Sequence, residues 1–195
     1  MERKIPKYEF KPDPTGSSPL RGLYLTPLQR QRILKWSLYC ALVLAALVLQ
    51  DTILGRIRFC GATTDLAVCV IMLIGVMEGA EVGGVFALCA SVFYYFSGSA
   101  PGPYVIVLVT GIAIAAALYR QSYWRQGLST AVLCTGLAML AYELLLAFIG
   151  ILMNLTRWNR LGVFILTALL SAGLVFPLYP LARAIGKIGG EPWKE

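Results

Sequence analysis

The chemistry this chain could do rests on three carboxylates, Asp51, Asp65 and Glu143, set within or beside long apolar runs. Asp51 and Asp65 fall toward the same end of two neighbouring apolar segments, and two carboxylates sharing a site can divide general base and general acid roles, as in aspartyl hydrolysis. Simpler roles exist for both: pairing with Arg56 and Arg58 and, for Asp65, a place in the first turn of a helix capped by Thr63 or Thr64. The simpler roles are preferred, and no catalytic activity is expected. The chain has no histidine, which removes the commonest general base and metal ligand. Its five cysteines, Cys40, Cys60, Cys69, Cys89 and Cys134, contain no C-x-x-C pair, so they read as small hydrophobes, with neither metal nor cofactor implied. Glu143 is the one charge in its run. A carboxyl facing lipid costs several kcal/mol, so it should point into a bundle. There it either fixes helix register, protonated or hydrogen-bonded to Gln50, or meets a partner or ligand.

The elements that must position these groups are membrane helices. The chain is 58% hydrophobic and only 14% charged, against about 25% charged for soluble domains. From Val82 to Tyr119, 38 consecutive residues carry no charge, nearly twice the roughly 20 that one helical crossing needs. The run must fold back on itself, and Ser97-Gly98-Ser99-Ala100-Pro101-Gly102-Pro103 supplies the turn. Only 15 residues precede this turn and 16 follow it, so each helix must extend into its polar flank or sit in a thinned bilayer. In the first of the two, Gly79, Gly83, Ala87 and Ser91 recur at every fourth position, a stripe of small side chains that serves a close helix contact within the chain or with a partner.

The spacing predicts an all-α integral membrane protein of about six transmembrane helices. Residues 1–33 form a proline-interrupted tail with a basic interfacial segment, 34–187 the membrane domain and 188–195 a short tail. Span one runs over 36–54, span two over 60–77, the hairpin supplies spans three and four, span five lies between Arg125 and Arg157, and span six covers 161–182 with Pro177 and Pro180 bending or ending it. Lys35, with Arg30 and Arg32, reads as a basic collar against anionic lipid. Nine basic residues flank the end that carries the termini, against Arg56, Arg58, Arg157 and Arg160 on the other, which predicts both termini in the cytoplasm. The net charge of +7 is thereby assigned to topology and lipid, and nucleic acid is not an expected partner.

Leu49-Gln50-Asp51-Thr52, Thr64-Asp65-Leu66, Gly79-Ala80 with Gly83, Ser97-Gly98-Ser99 with Gly102 and Tyr104, and Tyr179-Pro180-Leu181, in this order, resemble the bacterial rod-shape-determining protein MreD family over about residues 36–187. Thr64 stands where that family often has proline, and Ala90 and Tyr94 where it commonly has glycine and aspartate. The resemblance implies a multi-pass protein of the bacterial inner (plasma) membrane, a non-catalytic component of the cell-elongation machinery that supports peptidoglycan synthesis. Its implied partners are a bitopic MreC-like protein and, through it, the elongation synthases. The family's fold is similar to that of the S components of energy-coupling-factor transporters, which implies the alternative of a vitamin-binding subunit. Ala41 and Ala45, four apart on span one, fit the coupling contact of such a subunit. The outer loops show no evident polar set to clasp a vitamin.

Overall fold

The computed structural model describes residues 27–57, 59, 61–123 and 127–188. Seven α-helices account for most of them: α1 (Pro27–Thr52), α2 (Leu66–Glu78), α3 (Ala80–Phe96), α4 (Tyr104–Tyr123), α5 (Leu128–Leu152), α6 (Leu161–Gly173) and α7 (Val175–Lys187). The described residues form no strand, only an isolated bridge between Phe59 and Ala62. Three helical stretches, Gln29–Arg56, Tyr104–Ser122 and Leu128–Leu152, are long and apolar enough to cross a membrane. The pair Trp158–Gly173 and Val175–Lys187, bent by 45°, makes a fourth as a broken span. The two remaining apolar helices, α2 and α3, have 13 and 17 residues, about 20 and 26 Å against a hydrocarbon core of roughly 30 Å.

The short helix α2 is the centre of the molecule. Every residue of α2 from Leu66 to Val76 is buried, and α2 packs against all six other helices. Its sequence is apolar all round, the pattern of a helix with no face turned outward. Enclosed by protein, it need not match the thickness of a bilayer.

Burying a helix on every side leaves its end groups without water, so each must find a side chain. At the start of α2, the Gln50 side-chain carbonyl accepts from the Ala67 amide at 2.7 Å and Asp65 Oδ1 from the Val68 amide at 3.3 Å. At its other end, Arg120 Nη1 donates to the Val76 carbonyl at 2.8 Å, where a cation also meets the negative end of the helix dipole. Asp65 is thus itself the N-cap. The expectation of Thr63 or Thr64 as cap, with Asp65 inside the first turn, is corrected: Asp65 takes the cap position.

Gly79 alone separates α2 from α3, with φ 91°, a conformation open to glycine at no steric cost. The chain reverses there and the two helices cross closely: a Cβ on Gly83 would lie 2.4 Å from the Gly75 carbonyl oxygen. Gly83, Ala87 and Ser91 are all buried in the bundle, and Ser91 Oγ lies 3.4 Å from Thr110 Oγ1 of α4. The small-residue stripe therefore meets helices of this same chain. The α3–α4 turn falls on Ser97–Pro103, between Phe96 and Tyr104. The last break falls at Leu174, ahead of both prolines. Pro177 has no amide for the Gly173 carbonyl and its ring crowds that oxygen, so the helix cannot continue straight through Gly173.

One end of the bundle holds the start of α1 and the finish of α7. There Lys35 Nζ bonds Glu78 Oε2 at 2.6 Å, and Tyr39 Oη donates to Glu78 Oε1 at 2.7 Å. The Lys35 and Glu78 side chains are each 7% exposed. Lys35 is therefore a buried ion-pair partner, not part of a lipid-facing collar, because the carboxylate at the end of α2 could not be buried without a cation. Arg58, Cys60 and residues 1–26 and 189–195 of the two tails lie outside the described residues.

Candidate functional site

Polar side chains from five helices meet at the opposite, far end. Gln50 arrives from the end of α1, Asp65 from the start of α2, Tyr94 from α3, Tyr142 and Glu143 from α5, and Thr167 from α6. Together with Thr63, Thr64 and Ser99 they line a cavity of about 260 Å³. The convergence follows from the caps of α2: a central helix that starts here draws hydrogen-bonding groups from each neighbour to its first turn.

Asp65 is held from three directions. Its backbone amide donates to Ser171 Oγ of α6 at 2.9 Å, Oδ1 takes the Val68 amide, and Oδ2 accepts from Tyr94 Oη at 3.1 Å. The Ser171 carbonyl in turn accepts from Cys69 Sγ at 3.3 Å. Tyr94 thus binds an acid. It donates a proton to a carboxylate where an aspartate would have set two carboxylates against each other.

Glu143 and Tyr142 are placed differently. Glu143 is 4% exposed and forms no hydrogen bond with any described residue. The expected Gln50–Glu143 bond is absent; the Gln50 side chain is turned to the start of α2, where its carbonyl accepts from the Ala67 amide and it engages Asp65. The Tyr142 hydroxyl is buried without a partner among the described residues.

Asp51 does not line this cavity. It is exposed at the end of α1, where Oδ1 accepts from Ser99 Oγ at 2.6 Å, and Ser97 Oγ donates to Ser99 Oγ at 3.2 Å. Asp51 therefore pins the α3–α4 turn to α1, and neither Asp51 nor Asp65 forms an ion pair with Arg56. The two aspartates serve separate partners, and the two carboxylates that share the cavity are Asp65 and Glu143.

Compared with family models, curated proteins and solved structures, the chain finds no match.

A reading of the loops alone misses much of this polar lining, because Gln50, Tyr94, Tyr142, Glu143 and Thr167 come from helices, and Thr63, Thr64 and Ser99 from connections. Tyr94 and Tyr142 were outside the expected site. Tyr94 carried a signal: it lies three residues after Ser91, on the buried face of α3. Gly79, Gly83, Ala87 and Ser91 do not line the cavity; Gly83 meets Gly75 of α2 and Ser91 lies beside Thr110 of α4.

Proposed function

We propose that this chain is a non-catalytic membrane component of the bacterial cell-elongation machinery, of the MreD kind, and that it works by binding an MreC-like bitopic protein. In this reading it crosses the inner membrane six times with both termini in the cytoplasm, α2 and α3 completing the count as short helices sheltered in the bundle. One observation carries the proposal. The separate motifs on which the resemblance rests meet in space, Gln50 capping the helix that Asp65 opens while the adjacent Asp51 holds Ser99 of the Ser-Gly-Ser turn. The exposed part of this cluster, Asp51 with Ser97 and Gly98, would lie on the outer side, within reach of a partner with one span and a large outer domain.

The cavity favours a second reading, that of a small-molecule-binding subunit like the S components. Ala41 and Ala45 are both exposed on α1, as a coupling contact would require. Affinity purification of the tagged full chain from native membranes separates the two. An MreC-like protein should be recovered with it. Recovery instead of a coupling ATPase pair, with a vitamin in stoichiometric amount, would replace the scaffold reading by the second.

A further inference from the structure

The far-end cavity contains two buried groups that the fold leaves unused. Glu143, 4% exposed, lines it without a hydrogen bond to any described residue, and so does the Tyr142 hydroxyl, on a residue with no exposed surface. A buried polar group without a partner is destabilising, and a charged one more so. The two stand side by side on α5 and open into the same space. The remaining groups there are spoken for: Asp65 by Val68 and Tyr94, Gln50 by Ala67. The positive end of α2 is likewise quenched by its caps and does not call for an anion. No described lysine or arginine lines the cavity, whereas two carboxylates do. Buried carboxylates are retained where something pairs with them.

We infer that this cavity binds a small organic cation, an amine or guanidine, whose charge pairs with Glu143 and the accessible side of Asp65. A volume of about 260 Å³ corresponds to on the order of nine water molecules at about 30 Å³ each, which suits a ligand of up to about ten heavy atoms. A divalent metal fits less well, because the described residues contain no group of three or more metal-ligating side chains. The inference stands on the cavity alone and is independent of the scaffold reading.

The test is thermal unfolding of the purified full chain in detergent with agmatine and with choline. Each is compared with an uncharged counterpart of the same shape, pentylurea for agmatine and the all-carbon isostere for choline. At least one cation should raise the melting temperature by on the order of 5 °C at roughly a hundredfold its dissociation constant, with its counterpart inert. Glu143→Gln should weaken that binding tenfold or more. Tyr142→Phe, which removes only the unused hydroxyl, should weaken it severalfold and keeps the test decisive if the glutamine variant does not fold. No shift with either cation would mean that the cavity holds only water, and the proposal would fall. Equal shifts from the uncharged counterparts, or binding indifferent to both substitutions, would overturn it too. So would a shift seen only in Arg58→Ala, which would make this chain's own arginine the occupant.

Discussion

Gly83→Ala is expected to be among the most damaging single-methyl changes in the chain. The added carbon would sit 2.4 Å from the Gly75 carbonyl oxygen and 2.9 Å from its Cα, and both obstacles are backbone. A clash with a flexible side chain is relieved by a new rotamer. Here α2 and α3 must separate, and α2 is the helix on which all the others pack. Ordinary overpacking costs about 1–3 kcal/mol, and this substitution should reach or exceed the top of that range. Gly84→Ala meets the end of the Ile114 side chain at 2.8 Å and should be milder. Gly111→Ala, with nothing within 4 Å, should be neutral or slightly stabilising, since alanine is the better helix former. Melting temperatures of the three variants in detergent check the order. A wild-type value for Gly83→Ala would mean that the α2–α3 crossing is wider than the structure has it.

The second large effect is expected at the near end of the bundle. Lys35→Met removes the cation that bonds Glu78 at 2.6 Å and leaves a carboxylate 7% exposed with Tyr39 as its one remaining donor. Breaking a buried pair from one side costs about 3–5 kcal/mol, on the order of 10 °C in melting temperature for a chain of this size. Replacing both partners, Lys35→Met with Glu78→Leu, should restore much of the loss, because no charge is then stranded. A double variant no better than the single one would show that the contribution lies in packing and not in the pair.

Local chemistry made some of this architecture legible in advance. The charge-free run with its Ser-Gly-Pro cluster marks a hairpin because two helices are needed to use 38 apolar residues, and the turn falls there. The every-fourth-residue spacing of Gly83, Ala87 and Ser91 marks a close-packed face for the same reason of geometry. Long-range pairing was not legible. Lys35 and Glu78 are 43 residues apart, and a lysine beside two arginines looks like any interfacial cation until a carboxylate is seen beside it. Arg120 similarly reads as a loop charge, although it caps the far-off end of α2. At the candidate site Gln50, Asp65 and Glu143 stood out as polar groups in apolar surroundings. Tyr94 and Tyr142 did not, since a tyrosine in a membrane helix is unremarked until its hydroxyl has a partner or lacks one. Asp51, adjacent to Gln50 in sequence, points to the surface because successive helical residues are about 100° apart.

Cysteine accessibility decides which sides of the membrane the two ends of the bundle face. In a background with the five native cysteines replaced, single cysteines at Ser99 and Thr156 should react with a membrane-impermeant reagent in intact cells. A cysteine at Lys187 should react only after the membrane is opened. That pattern places the cavity, the Asp51–Ser99 contact and the proposed partner surface outside, with the Lys35–Glu78 pair at the cytoplasmic face. Protection of Ser99 and Thr156 together with labelling of Lys187 would invert the molecule, and labelling of Ser99 and Lys187 alike would contradict an even number of crossings.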